Sequence, residues 1–264
     1  MTRLRVVRYL NTTPLVHAFQ KGLIDHDFDL AYDVPSECAS KLDQGISDLG
    51  IIPSIEYARR KPPYRIVPDI SISSKGPVGS IFLFHRGALA RIESVALDTS
   101  SRTSVALAQV ILKDKYGLDI VAVPHPPDLD AMLESADAAL VIGDPALEYT
   151  DRPEDRLDLG REWTELTGLP FVYAFWAGHE GAVSKDEVRK LIKSKDLGLD
   201  CLGEIANEYA VTHRHPVSLY KAYLSDHLQY PFGPDEQAGL KEFYRRAHRI
   251  GLIESEPALR FYET

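Results

Sequence analysis

The sequence has 264 residues, of which 44% are hydrophobic and 26% are charged, so it can bury one large core or the cores of two lobes. Its formal net charge of −9 and the lack of a Lys/Arg block argue against binding to DNA or RNA, which requires clustered cations. The two cysteines, Cys38 and Cys201, lie far apart without CxxC spacing, which predicts neither a disulfide framework nor a structural zinc site.

The apolar runs are all short. None approaches the roughly 20 apolar residues that a membrane-spanning helix needs. Strand-like residues begin at Leu4, which leaves no space for the apolar region of a signal peptide. We therefore expect a cytoplasmic protein without membrane insertion.

The first part of the chain alternates short apolar runs with helical patterns. In chain order, the patterns predict strand 4–10, helix 14–22, strand 28–34, helix 36–44, strand 48–53, helix 54–60 and the longer strands 65–73 and 78–85.

The alternation restarts at about Gly87 and stops after Ser184. The predicted elements between them are strand 94–98, helix 101–116, strand 119–123, helix 129–135, strand 138–143, a short helix from 145, a helix around 162–167 and strand 171–177. The remaining chain reads as helices only, at roughly 186–212, 216–228 and 234–250.

Two blocks of alternating strands and helices predict an α/β protein with two lobes. The helical tail cannot form a sheet of its own, so we expect it to pack on the first lobe. The predicted lobes are 1–86 plus 179–264, and 87–178. The chain would then cross twice between the lobes, on either side of a central cleft.

Small polar side chains cluster where three predicted strands give way to helices. The first junction holds Asn11, Thr12 and Thr13, the second holds Ser54, and the third spans 99–104. Ligands of parallel α/β folds bind at the carboxyl ends of strands, where helix N-termini present free N–H groups. These junctions are therefore candidate sites for a carboxylate or a phosphate.

Helix capping is the competing explanation, and it needs only one Ser or Thr per helix. The third junction exceeds that need, which favours an anion site formed among Ser100, Ser101, Arg102, Thr103 and Ser104. Ser54 is compatible with either explanation. No junction contains a GxGxxG or Walker pattern, so a nucleotide is not implied.

Two charged residues close to the junctions have open roles. Asp144, after Gly143, could reach a ligand, although capping of the next helix is favoured because Asp is a preferred N-cap. Arg8 lies near the end of the first strand, where an unpaired buried charge would be costly. It could point into the cleft or pair with Glu56 or Asp33.

Six segments, "YLNTTPL", "DLGIIPSIEYA", "DTSSRTSVALA", "IGDPAL", "DLGREWTELTGLPFVYAFW" and "FYRRAHRIGLI", resemble the chorismate dehydratase family in consistent order over nearly the whole chain. The resemblance implies a type II periplasmic-binding-protein-like fold. It also implies a hydro-lyase of the futalosine route to menaquinone, which converts chorismate to 3-[(1-carboxyvinyl)oxy]benzoate without a metal or redox cofactor.

The resemblance implies Asn11 as the catalytic-site residue, and Ser54 with the cluster around Ser101 as carboxylate binders. The complete set of predicted substrate contacts is Arg8, Tyr9, Thr12, Ser54, Ser100, Ser101, Arg102, Thr103, Ser104, Gly143 and Asp144. At the motifs expected to form the cleft, Glu56 and His17 are the candidate protein bases, which leaves open deprotonation by the substrate's own enolpyruvyl carboxylate.

Two other functions are compatible with this fold. The sister enzyme 1,4-dihydroxy-6-naphthoate synthase typically opens with a Ser-Pro-Cys-Pro-Asn-Asp-Thr motif, which this sequence lacks. A non-catalytic protein that binds a small anion would share the architecture, because a fold alone does not determine function. The sequence pattern does not predict an oligomeric state.

Overall fold

A computed structural model describes all 264 residues and contains two β-sheets. The strands are β1 (Thr2–Val7), β2 (Phe28–Asp33), β3 (Leu49–Pro53), β4 (Arg65–Ile66), β5 (Ile72–Ser74), β6 (Ile81–His85), β7 (Ser94–Asp98), β8 (Val121–His125), β9 (Ala138–Ile142), β10 (Asp155–Asp158) and β11 (Phe171–Gly178).

Helices cover both sheets and form most of the chain after β11. They are α1 (Thr13–Gln20), α2 (Pro35–Asp43), α3 (Ser54–Arg59), α4 (Thr103–Tyr116), α5 (Leu129–Ser135), α6 (Gly143–Glu148), α7 (Leu159–Thr167), α8 (Lys185–Asp200), α9 (Leu202–Ala210), α10 (Val217–Ala222) and α11 (Pro234–Arg249). Short 3-10 turns cover Leu10–Thr12 and Leu89–Arg91, and a π-helical turn covers Tyr223–His227.

The first sheet has the strand order β2-β1-β3-β11-β4, and β5 also pairs with β11. Strand β1 runs parallel to β2 and β3, whereas β11 runs antiparallel to β3, β4 and β5. Strand β3 is buried along its whole length. Its unbroken apolar sequence is typical of a strand covered on both faces.

The second sheet has the strand order β10-β6-β9-β7-β8. Strand β7 runs parallel to β8 and β9, and β6 runs antiparallel to β9 and β10. Two sheets with helices packed on them confirm the predicted α/β class.

The two crossings between the sheets lie elsewhere than the predicted lobe limits at residues 86 and 178. Strand β6 pairs in the second sheet and β11 in the first, so the chain crosses between Ser74 and Ile81 and returns between Asp158 and Phe171. Both strands are continuous apolar runs, and such a run is compatible with either sheet. The sheet that such a strand joins depends on the distant strand with which it forms hydrogen bonds.

Three elements differ from their predictions for local reasons. The predicted strand 65–73 is broken into β4 and β5, because Pro68 cannot donate to a strand ladder and Asp69 has a φ of 62°. The predicted helix 186–212 is interrupted at Cys201. Strand β10 was not predicted, because it is short and mostly polar.

The helical tail packs against the first sheet and α1. Helix α11 contacts β11, and α8 contacts α1. A Cβ atom at Gly198 would lie 1.8 Å from the carbonyl oxygen of Pro14, so glycine is required for this close approach. No helix of the fold is both long enough and apolar enough to cross a membrane.

Candidate active site

A cavity lies between the two sheets, at the carboxyl ends of β1, β3 and β9 and the N-terminus of α4. The residues that line it are Val7, Tyr9, Asn11, Thr12, Pro35, Ile51, Pro53, Ile72, Val78, Ser80, Ile81, Ser101, Thr103, Ser104, Ile142, Gly143, Tyr173, Ala174 and Leu228. This position agrees with the rule that α/β folds bind ligands beyond the carboxyl ends of their strands.

The N-terminus of α4 supplies hydroxyl donors to the cavity. The Ser101 hydroxyl accepts a hydrogen bond from the Ser104 N–H at 3.2 Å, and the Thr103 hydroxyl accepts one from the Ile55 N–H at 3.2 Å. Accepting this bond leaves the hydroxyl hydrogen of Ser101 free to donate, whereas the hydroxyl of Thr103 also lies 3.5 Å from that of Ser54, to which it can donate. The Ser104 hydroxyl has no partner in the protein, so three hydroxyls and the positive end of a helix dipole face one space.

Asn11 faces the same space from the 3-10 turn that follows β1. Its side-chain oxygen is buried and has no hydrogen-bond partner in the protein. Thr12 holds this turn, because its hydroxyl donates to the carbonyl of Tyr9 at 2.8 Å and to that of Val7. An unpaired buried acceptor costs about 1–3 kcal/mol, and a ligand that donates to it would remove that cost.

The aromatic ring of Tyr9 forms a wall of the cavity and is packed against Gly143. Gly143 has a φ of 66°, and a Cβ atom there would lie 2.6 Å from the ring. The Tyr9 hydroxyl lies 3.3 Å from the Ser100 hydroxyl, which in turn donates to Asp98 at 2.6 Å. Burial raises the pKa of Tyr9, so the phenol stays protonated and can donate. Ser100 therefore contacts the Tyr9 hydroxyl but does not itself line the cavity.

Five predicted substrate contacts lie outside the cavity wall, namely Ser100 and Asp144, which support it, and Arg8, Arg102 and Ser54. Arg8 is exposed and forms no ion pair. The Arg102 guanidinium donates to the Glu56 carboxylate at 2.6 Å, so Glu56 is not the partner of Arg8. The Ser54 hydroxyl is fully buried and donates to the carbonyl of Val172 at 2.8 Å, where it connects α3 to β11.

Asp144 neither caps α6 nor lines the cavity. Its carboxylate accepts the N–H of Leu10 at 2.9 Å, which joins α6 to the turn that presents Asn11. Burial raises the pKa of Asp144 to about 6, while the Leu10 N–H and the nearby Tyr209 and His213 oppose that shift. The carboxylate therefore connects the two sides of the cavity.

Asp158 connects the two chain crossings, and the sequence patterns did not single it out. Its carboxylate accepts hydrogen bonds from the N–H groups of Val78 and Gly79 on one crossing, at 2.9 and 2.8 Å. It also accepts those of Gly160 and Arg161 on the other, at 3.0 and 3.1 Å. One side chain thus fixes both connections between the sheets.

Ser80 and Tyr173 also line the cavity without having been predicted. The Ser80 hydroxyl accepts a hydrogen bond from the Tyr223 hydroxyl at 2.9 Å, and the Tyr173 hydroxyl lies 2.8 Å from that of Ser74. Ser80 lies in a crossing rather than at a strand-to-helix junction, so junction reasoning could not find it. The lining residues include no carboxylate, imidazole or thiol, so the cavity wall offers no set of metal ligands.

Comparison with known proteins agrees with this geometry. A sequence family described as menaquinone biosynthesis matches residues 2–249. The chain is 32% identical to chorismate dehydratase from Thermus thermophilus, with 93% of each chain covered. It is 27% identical to chorismate dehydratase from Campylobacter jejuni, covering 93% of this chain and 97% of that protein. The chain belongs to the menaquinone biosynthesis family. The resemblance inferred from the motifs is confirmed.

Solved structures confirm the predicted fold of this menaquinone biosynthesis family member. A protein from Archaeoglobus fulgidus superimposes with a TM-score of 0.80 at 19% identity, covering 96% of this chain and 98% of that chain. The periplasmic aliphatic sulphonate binding protein of Escherichia coli superimposes with a TM-score of 0.69 at 16% identity, covering 97% and 94%. The periplasmic-binding-protein-like architecture is therefore shared beyond the menaquinone biosynthesis family.

The raised pKa of Asp144 predicts a pH-dependent stability. From its ordinary value of 3.8 up to about 6, the folded protein binds more protons at this carboxyl than the unfolded chain does. The free energy of unfolding therefore falls as the pH rises through this window, by about 2 kcal/mol after allowance for partial exposure. Asp144→Asn keeps an acceptor for the Leu10 N–H and cannot titrate, so its stability relative to wild type should rise across the window. Urea unfolding at a series of pH values measures this difference, and parallel curves for the two proteins would contradict the expectation.

Proposed function

We propose that this protein is a chorismate dehydratase, a lyase that removes water from chorismate to give 3-[(1-carboxyvinyl)oxy]benzoate. The observation that carries the proposal is that the unpaired Asn11 oxygen and the hydroxyl-rich N-terminus of α4 line the same cavity. The Thermus and Campylobacter relatives are chorismate dehydratases, which supports the same reaction.

In this proposal the ring carboxylate of chorismate binds at the start of α4. Ser101, Thr103 and Ser104 donate to it, together with the helix dipole. Removal of the C3 proton places negative charge on this carboxylate through the conjugated ring. Donors that are already oriented stabilise that charge without reorganising, as in an oxyanion hole.

The base in this proposal is the enolpyruvyl carboxylate of the substrate. Glu56 is held by Arg102 and Arg59, and His17 is buried outside the cavity, so neither protein candidate reaches the substrate. The C3–H electron pair enters the ring and the proton moves to the carboxylate. The C4–O bond then breaks, and the hydroxyl takes up that proton and leaves as water while the ring becomes aromatic. The Asn11 oxygen accepts a hydrogen bond from the C4 hydroxyl and orients this group for departure.

Incubation of the purified protein with chorismate tests the proposal, with the aromatic product followed by liquid chromatography. We expect product at the rate at which chorismate disappears. Turnover of cyclic dehypoxanthine futalosine instead would assign the sister reaction. Binding of chorismate without turnover would assign a solute-binding protein, and either result would overturn the proposal.

A further inference from the structure

A buried histidine lies outside the cavity. The side chain of His17, on α1, is 2% exposed. Buried polar side chains almost always have a partner, so the groups that face the His17 imidazole indicate its role. His17 has no part in the chemistry proposed for the cavity, which it does not line.

The imidazole of His17 points at a thiol and a carboxylate. Its Nε2 atom lies 3.7 Å from the Glu204 carboxylate. The ligand atoms of His17, Cys201 and Glu204 all lie within 4.8 Å of one another. Cys201 lies where α8 ends and α9 begins, and Glu204 follows one turn later. Residues three apart on a helix share a face, so both side chains face α1 from the same side.

The backbone around the three groups is rigidly packed. The Ser194 hydroxyl, on α8, donates to the carbonyl of Leu15 at 2.8 Å, and Gly198 lies directly against Pro14 on α1. Positions 194, 198 and 201 follow one face of α8 at the spacing of helical turns. The distance between α1 and α8 is therefore set by contacts that do not involve His17 or Cys201.

The Glu204 carboxylate has one charged neighbour besides His17, and that neighbour pairs more closely with another carboxylate. The nearest cation is Lys21, whose ammonium pairs with Glu208 at 2.5 Å and lies 3.6 Å from Glu204. An ordinary ion pair between His17 and Glu204 is the alternative explanation of the geometry. That pair would leave the Cys201 thiol without a role.

We propose that His17, Cys201 and Glu204 bind one Zn²⁺ ion, with a fourth, open position facing solvent. Imidazole, thiolate and carboxylate are the three ligand types that zinc takes in proteins, and three protein ligands with one open position form a common tetrahedral site. Softer ligands favour zinc over magnesium or calcium, which prefer oxygen. The bound ion would join α1 to α9.

The site has a structural connection to the cavity. Helix α1 begins directly after the turn that carries Asn11. An ion held by His17 would therefore restrain the helix that follows this turn.

Titration of the metal-free protein with Zn²⁺, in competition with a chromophoric chelator, tests the proposal. We expect one Zn²⁺ per chain, and Cys201→Ser and Glu204→Gln should each weaken binding by about 100-fold or more. Glu204 is about half exposed, so its replacement should not affect folding. Cys38→Ser is the matched control, because Cys38 is buried in the first sheet's core and should not alter binding.

Cobalt provides a second readout that does not depend on activity. Co²⁺ bound by a thiolate gives a sulfur-to-metal charge-transfer band in the near ultraviolet, which we expect in the wild type and in Cys38→Ser but not in Cys201→Ser. Zn²⁺ affinity that is unchanged in both Cys201→Ser and Glu204→Gln would overturn the proposal. Absence of the charge-transfer band in the wild type would do the same.

Discussion

Replacement of Asn11 by alanine is expected to lower the turnover of chorismate by about 100- to 1,000-fold, the range seen when one oriented polar group is removed from an active site. The physical reason is the unpaired Asn11 oxygen, the only side-chain amide on the cavity wall. Steady-state kinetics measure kcat and KM separately. A loss confined to kcat would show that Asn11 acts in the transition state rather than in substrate binding.

The matched control for this substitution is Asn207→Ala. Asn207 is the other asparagine of the chain, is exposed on α9 and does not line the cavity. We expect wild-type kinetics for this variant, and circular dichroism spectra that are unchanged in both variants. Full activity of Asn11→Ala would remove Asn11 from the mechanism.

Replacement of Asp158 by alanine is expected to lower the free energy of unfolding by about 3 kcal/mol. The carboxylate accepts four backbone N–H groups, two from each crossing between the sheets. Hydrogen bonds to a charged acceptor contribute about 1.5–3 kcal/mol each, and solvent compensates part of the loss at a half-buried position. A helix N-cap is lost at the same time, because Asp158 also caps α7.

Asp155→Ala is the control for this second substitution. Asp155 lies on the same strand, β10, and its exposed carboxylate forms no hydrogen bond in the protein. Urea unfolding should give a free energy within about 0.5 kcal/mol of wild type for Asp155→Ala. Equal stabilities of the two variants would show that the Asp158 carboxylate does not hold the crossings together.

The candidate site was predictable where it depends on strand ends and helix starts. Asn11, Ser101, Thr103 and Ser104 were all predicted from such junctions, and all line the cavity. Ser54 has the same sequence context, but its hydroxyl turns towards Val172 instead. The direction of a side chain depends on the neighbouring strand, which local sequence does not specify.

The connections between the sheets were not predictable from local patterns. The apolar runs of β6 and β11 are compatible with either sheet, and their hydrogen-bonded partners are distant in sequence. Asp158 belongs to a short polar strand, and two of the four N–H groups that donate to it come from a segment about 80 residues earlier. The cluster of His17 and Cys201 was missed for the same reason, since α1 and α8 meet only in the folded chain.

The position of β11 in the middle of the first sheet has a consequence for synthesis on the ribosome. All strands of the second sheet lie within the continuous segment 81–158, whereas β4 and β5 attach to the first sheet only through β11. Because the N-terminus leaves the ribosome first, every strand of the second sheet has emerged before the first sheet can be completed. Until residue 178 has emerged, β3 exposes one edge to the solvent and to other nascent chains.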